Sequence, residues 1–347
     1  MRRQGNLFEQ IIAYQNLRLA WLKAIRGKRK NSSVLLFNRN VDINLERIKA
    51  RLGADNPGWG DYQSFIITDP KIRTITAASF PERVMHHALM NILSPLFERK
   101  YIYHSYACRK GKGTHAAVLH TFHAVKAGGY FLKLDVRKYF DSIDHAVLKS
   151  LLSDFIKDKK IMRILSLLID SYHTLPGKGI PIGNLTSQSF ANLYLTGLDH
   201  YILEHVKPTG YIRYMDDFVL LHADKQVLKT MFVTVDGYTK KHLNLDLKQP
   251  VYGSTEQGLP FLGFLIKKTG IYLLKKSKKR MSARVKKIQS DISDGKINEE
   301  QAALRANSVN AAVLIARCRT FRAKLWQGSG FGYEPRETRR QLEQQCL

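Results

Sequence analysis

Tyr211-Ile212-Arg213-Tyr214-Met215-Asp216-Asp217-Phe218-Val219-Leu220-Leu221 is the stretch that decides how this chain is read. Apolar and aromatic residues flank two adjacent acids. The pattern predicts a β-hairpin with Met215-Asp216-Asp217 at its turn. An isolated Asp-Asp pair is ordinarily a solvated turn, because Asp favours turns. At a hairpin tip between apolar strands, however, the two carboxylates repel one another and call for a cation or solvent.

A third acid adds weight. Tyr130-Phe131-Leu132-Lys133-Leu134-Asp135-Val136 reads as a short apolar strand with Asp135 near its end. A carboxylate at a strand end can lie beside a neighbouring hairpin tip. Three carboxylates brought together suit hard cations with oxygen ligands, Mg²⁺ first and Mn²⁺ as the alternative. Two such ions about 3.5–4 Å apart can activate an attacking hydroxyl and stabilise a leaving phosphate oxygen.

Composition agrees with a phosphate-bearing partner. The 347 residues carry 56 Lys and Arg against 29 Asp and Glu, a net charge of +27. Such a balance points to nucleic acid or an anionic membrane surface. No apolar run of about 18 residues is present, so no membrane span is expected and nucleic acid is the better explanation. At 44% hydrophobic residues, the chain can bury a full core and is not a disordered one. Cys108, Cys318 and Cys346 are too few and too scattered for a disulfide framework. Reduced thiols and no visible signal peptide after Met1-Arg2-Arg3 lead to an expected cytoplasmic location, in a bacterium or the bacterial host of a phage.

The rest of the chain reads as alternating helices and short strands. Helices are expected at 6–26, 42–52, 82–98, 114–127, 145–156, 160–172, 186–205 and 226–242, with Asp144 as an N-cap and Pro81 in a first turn. Residues 53–61 read as a loop. Gln63–Thr68 and Ile72–Thr76 predict a hairpin around Asp69-Pro70-Lys71. A strand is expected near 250 and a strand pair at 261–273. Residues 275–287 hold eight Lys or Arg and no acid, and helical periodicity then runs to about Trp326. Residues 328–347 are expected to be partly disordered.

These motifs, in this order, resemble the palm motifs of reverse transcriptases. They are Asp135 followed by Phe140; Ile180-Pro181-Ile182-Gly183 followed by Ser187-Gln188; Tyr214-Met215-Asp216-Asp217; and Phe261-Leu262-Gly263-Phe264. The resemblance spans roughly residues 60–300. It implies an α/β right-hand polymerase fold, with a small antiparallel palm sheet, fingers and a helical thumb. Residues 1–60 would be an N-terminal helical extension, 61–270 fingers and palm, and 271–347 a basic helical thumb and tail that holds a template–primer duplex by its phosphates.

The same resemblance implies roles for single residues. Asp135, Asp216 and Asp217 look like the metal-binding carboxylates, with the main-chain carbonyl of Val136 as a further metal contact. Phe140 stands where the family places an aromatic gate against a ribose 2′-hydroxyl; its alternative is core packing beside Tyr139. Lys71 and Arg73 resemble a triphosphate clamp, since Arg pairs bidentately with phosphate and Lys acts as a point charge; their alternative is an exposed basic turn. Arg83 falls nearby and is given no role. Ile182, Gly183 and Gln188 would line the nucleotide and template pocket. Phe261, Leu262 and Gly263 resemble the primer grip, where glycine permits close backbone approach.

Ile182-Gly183 in place of a Gln-Gly pair, with Ser187-Gln188 downstream, resembles the reverse transcriptases of diversity-generating retroelements. Thr68-Asp69-Pro70-Lys71-Ile72-Arg73, Tyr106–His115 and Leu274-Lys275-Lys276-Ser277 fit the same group. That family copies a template RNA into cDNA, is error-prone opposite template adenine, and diversifies a target gene. Its expected partners are template RNA, the RNA/cDNA duplex, dNTPs and a small basic pentameric accessory protein. The nearest rivals are reverse transcriptases of retrons, group II-like elements or phage-defence systems. A rival from another class is a non-catalytic RNA-binding scaffold. His104, Cys108, His115, His120 and His123 lack zinc-ligand spacing. Arg109–Thr114 lacks the spacing of a phosphate loop. Lys248 is left outside the catalytic set.

Overall fold

A computed structural model of the chain describes residues 4–68 and 72–327. Lys71 and the tail 328–347 therefore lie outside the described residues. The expected helix at 6–26 is two helices, α1 (Leu7–Ile12) and α2 (Tyr14–Ala24), broken where Ala13 turns extended. Asn16 explains the break. Its buried amide donates to the Ile11 carbonyl at 2.8 Å, replacing a helical bond, and to the Ala88 carbonyl at 3.0 Å. Next come α3 (Ser32–Asn38), which hydrophobic spacing had not revealed, and α4 (Val41–Gly53). Asn31 caps α3 by accepting from Ser33 N–H.

The first hairpin is present as β1 (Tyr62–Ile67) and β2 (Arg73–Ala78), paired antiparallel from Tyr62↔Ala78 to Ile67↔Arg73. Helix α5 (Phe80–Glu98) carries Pro81 in its first turn, as expected. It is followed by α6 (Thr114–Val125), β3 (Tyr130–Asp135), α7 (Tyr139–Ser142), α8 (His145–Ser153) and α9 (Lys159–Asp170). Asp144 caps α8 through Ala146 and Val147 N–H. Asp158 caps α9 and also accepts from Leu7 and Phe8 N–H at the start of α1. Burial alone would raise its pKa, but these four N–H groups hold it below the usual carboxylate value.

The expected helix at 186–205 is three segments: α10 (Leu185–Tyr194), α11 (Thr196–Tyr201) and a π-helical turn, Ile202–Val206. Then come β4 (Gly210–Tyr214), β5 (Asp217–His222), α12 (Lys225–Leu243) and β6 (Val251–Ser254). The expected strand pair near 261–273 is a three-stranded meander, β7 (Leu259–Phe261), β8 (Phe264–Lys267) and β9 (Gly270–Leu273). Helices α13 (Lys275–Ser293), α14 (Glu299–Ala311) and α15 (Arg319–Trp326) close the described chain. Mixed α/β architecture with small antiparallel sheets is thus what the sequence pattern implies. Among the described residues, no helix is long and apolar enough to cross a membrane.

Two compact units are formed. The first comprises Met1–Tyr103, Asp135–Lys207 and Val233–Lys248. Its core includes Ile11, Leu17, Leu45, Met85 and Phe190, with Phe97 edge-on to Phe155. The second comprises His104–Leu134, Pro208–Phe232 and Gln249–Leu347. Its core joins Val118, Phe131, Ile212, Val219, Phe261, Ile266, Val285 and Val309. The sheet of the second unit has the order β4-β5-β3-β6. Strand β3, which ends at Asp135, is therefore the neighbour of β5, which begins at Asp217.

Candidate active site

In the second unit the β4–β5 hairpin pairs Tyr214 with Asp217, so its turn is two residues, Met215-Asp216. Asp217 belongs to β5 rather than to the turn centre. Met215 has φ +58°, a left-handed conformation that a side chain disfavours. The turn is braced from below. Arg213 is fully buried, and its Nη1 donates to the Met215 carbonyl at 3.1 Å. The backbone of Arg213 is bracketed as well: its N–H donates to the His104 carbonyl, and its carbonyl accepts from Tyr106 N–H, both at 2.9 Å. Asp216 and Asp217 are half-buried, and Asp217 Oδ2 lies 3.1 Å from Lys133 Nζ.

Lys133 reaches further. Its Nζ also donates to the Pro260 carbonyl at 3.4 Å and lies 5.9 Å from the centre of the Phe261 ring. It thereby links the acidic turn to the β7–β8 hairpin. That hairpin pairs Phe261 with Phe264 and turns on Leu262-Gly263, at φ +49° and +89°. The Gly263 carbonyl accepts from Ser277 Oγ at 2.7 Å and from Leu274 N–H at 3.2 Å, at the start of α13. A Cβ on Gly263 would stand 2.9 Å from Ser277 Oγ.

In the first unit, Asp135 Oδ1 accepts from Lys248 Nζ at 2.7 Å, and its carbonyl accepts from Lys248 N–H. Val136 is fully buried and bridges antiparallel to Leu247. Phe140 is half-buried, whereas Tyr139 is buried and donates its hydroxyl to the Ala191 carbonyl. Tyr139 therefore fills the core, and Phe140 keeps an open side. The Ile182-Gly183 loop is fastened to β2: Thr76 N–H donates to the Ile182 carbonyl at 2.7 Å, and Ala78 N–H to Asn184 Oδ1 at 3.0 Å. Gly183 has φ +133°, and a Cβ there would meet Ile75 Cγ2 at 2.9 Å. Gln188 and Arg73 are exposed.

The structure thus joins Asp216 and Asp217 at one tip and gives Asp135 and Asp217 a lysine each. Among the described residues, no group of three or more His, Cys, Asp or Glu is assembled as a metal cage. The donors fit Mg²⁺ by chemistry: they are carboxylate oxygens, and two of them already face a cationic group.

Comparison with known proteins decides the family. Residues 68–265 match the family model described as reverse transcriptase (RNA-dependent DNA polymerase). The chain belongs to the reverse transcriptase family. It is 26% identical over 143 residues to the putative COX1/OXI3 intron 2 protein of Saccharomyces cerevisiae, covering 39% of this chain and 17% of that protein. It is 26% identical over 141 residues to the group II intron-encoded protein LtrA of Lactococcus lactis subsp. cremoris, covering 39% of this chain and 23% of that one. The matches thus span less than a quarter of these relatives' length. Apo telomerase from Candida tropicalis, truncated from its C-terminal domain, aligns at TM-score 0.45 and 13% identity over 62% of this chain and 55% of that one.

For this reverse transcriptase, sequence reasoning did not single out Lys133 and left Lys248 outside the catalytic set; the structure places one against Asp217 and the other against Asp135. Lys133 was detectable. On a strand, residues 133 and 135 share a face, while Leu132 and Leu134 are buried on the other. Asn184 and Arg213 gave no comparable signal, because their importance lies in backbone groups that only the folded chain brings to them.

Proposed function

We propose that the chain is an RNA-directed DNA polymerase that copies a template RNA into cDNA. The observation that carries this reading is the Met215-Asp216 turn, which sets two carboxylates at a hairpin tip in a sheet whose adjoining strand ends in Asp135. The reaction is attack of a primer 3′-hydroxyl on the α-phosphate of a dNTP, with release of pyrophosphate. Asp135, Asp216 and Asp217, with the Val136 carbonyl, are the oxygen donors for two Mg²⁺ ions, whose chemistry when bound is to acidify that hydroxyl and neutralise the departing diphosphate. Lys133 lies against Asp217 and Lys248 against Asp135, cationic neighbours that a bound metal would have to displace. Arg73, with Lys71, is assigned to the triphosphate and Phe140 to exclusion of a 2′-hydroxyl. Gly183 lets the loop press on β2 so that Ile182 and Gln188 meet the nucleotide and template. Phe261, Leu262 and Gly263 are assigned to the primer end. Primer extension on poly-rA/oligo-dT with Mg²⁺ tests the reading, and extension that survives Asp216→Ala would overturn it.

The finer reading is a diversity-generating retroelement enzyme, working with a small basic pentameric accessory protein in a bacterial cytoplasm. Ile182, an apolar residue at a polar position of accurate enzymes, supports it. Losing one polar contact lowers base discrimination by about 1–3 kcal/mol. Ile182→Gln should therefore reduce errors opposite template adenine in sequenced cDNA, and an unchanged error spectrum would remove this argument. The intron-encoded relatives favour a second reading, a group II-type enzyme. A template repeat and a near-identical variable repeat beside the gene mark the first reading; a surrounding group II intron marks the second.

A further inference from the structure

Arg83 of helix α5 belongs to a basic patch, shared with lysines from the α2 region, that none of the roles above uses. Arg83 and His87 are one helical turn apart on α5, and Asn91 lies one turn further. Lys23 of α2 reaches onto the patch, its Nζ 2.5 Å from Asn91 Oδ1. Lys28 follows α2 in the next turn. Lys23, Arg83 and His87 are half-buried, and Lys28 is exposed. Among the described residues, no carboxylate pairs with any of the four. The acid next in sequence, Glu82, is turned away, accepting from Asp61 and Gly60 N–H and facing Arg51. Arg83 Nη2 donates to the Ala78 carbonyl at 3.4 Å.

The four groups act on one another. Burial first, then Lys23, Arg83 and Lys28, push the His87 imidazole down to about 4. Burial and Arg83 lower the Lys28 ammonium, and burial lowers Arg83. Lys23 and Arg83 are half-buried cations without an anion, which is destabilising unless one arrives from outside; a guanidinium beside ammonium groups is suited to phosphate oxygens, and the neutral His87 imidazole adds an N–H donor.

We propose that Lys23, Lys28, Arg83 and His87 form a phosphate-binding site, filled by a backbone phosphate of single-stranded RNA or by a nucleotide phosphate. The site is built within the first unit and needs none of the catalytic carboxylates. Its ligand assignment leans on the polymerase reading only for the kind of phosphate present.

The test uses the full chain and two variants, Arg83→Gln and the double variant Lys23→Gln/Lys28→Gln. Binding of a short single-stranded RNA is followed by fluorescence anisotropy over a salt series, and dNTP binding by equilibrium dialysis. With a backbone phosphate in the site, each variant binds RNA about tenfold more weakly at low salt, and the log–log salt slope falls by about 0.7 for every phosphate no longer neutralised. With a nucleotide phosphate in the site, RNA binding is unchanged and dNTP binding weakens. Retention of both affinities and of the salt slope overturns the proposal. Arg83 touches the backbone, so the lysine pair keeps the test decisive if Arg83→Gln fails to fold. Asp216→Ala separates the two readings: it removes primer extension and leaves this site's affinity intact.

Discussion

The β4–β5 and β7–β8 hairpins both turn on two residues, Met215-Asp216 and Leu262-Gly263, yet they are built differently. The first places a methionine at φ +58°, where glycine is the usual occupant. That conformation costs about 1–2 kcal/mol for a residue with a side chain. A buried arginine clasping the Met215 carbonyl holds the turn in place. The second puts glycine at φ +89° and ties its carbonyl to a serine on the next helix. Both turns hold a non-glycine residue at positive φ, Met215 and Leu262, but the first presents carboxylate side chains, whereas the second presents backbone and has glycine at the position pressed against Ser277. Lys133 touches both, through Asp217 and through the Pro260 carbonyl.

The contrast can be broken by substitution. The largest effect belongs to the side-chain turn: Asp216→Asn should lower primer extension on the order of 10³-fold, the scale of losing a principal electrostatic group, with the melting temperature nearly unchanged. Arg213→Met should destabilise the protein by about 2–3 kcal/mol, through loss of a buried charge-assisted hydrogen bond; chemical denaturation measures this, and an unchanged midpoint would mean the turn stands without its brace. Gly263→Ala should cost about 1–2 kcal/mol, from its positive φ and the Ser277 contact, and should raise the KM for primer–template while sparing dNTP use. Lys133→Met should cut the link between the turns and lower the half-saturating Mg²⁺ concentration about threefold, because the ammonium no longer competes for Asp217; a raised Mg²⁺ requirement would show that Lys133 aims the carboxylate rather than competes for it.

A smaller effect follows from pH. The His120 ring lies tilted against His104, centroids 4.9 Å apart, beside the segment that brackets Arg213. Burial, and then His104, Lys112 and His123, push His120 down to about 4. Its folded pKa lies below the unfolded value, so protonation favours unfolding. The contribution to stability is full above about pH 6.5 and declines as pH falls toward 4. Hydrogen exchange at pH 5 should therefore loosen β4 before the β7–β8 hairpin, and equal protection of both would contradict this.

Much of this was legible in the sequence. The acidic hairpin, the ribbon β1–β2, the Asp144 cap and the basic C-terminal helices all declare themselves through period, capping residue or charge. The break at Ala13 did not, because it depends on Asn16 meeting Ala88, 72 residues away. Helix α3 did not, because a single turn of apolar residues carries little periodicity. The three-stranded meander was read as two strands because β7 holds only Leu259–Phe261. At the candidate site, motif order singles out the carboxylates for the proposal, but their lysine partners are relations across the fold. Only strand alternation hinted at Lys133.

The fastening of the Ile182–Asn184 loop has a consequence for self-association. Strand β2 is hydrogen-bonded to β1 on one side, while Thr76 and Ala78 N–H are taken by the loop on the other. Among the described residues the ribbon's open margin is therefore β1, whose Phe65 and Ile66 are exposed. Uncovered strand margins with apolar residues invite pairing between molecules. Aggregation of this protein at high concentration should thus begin at Tyr62–Ile67, and Ile66→Lys is the substitution that should keep it in solution.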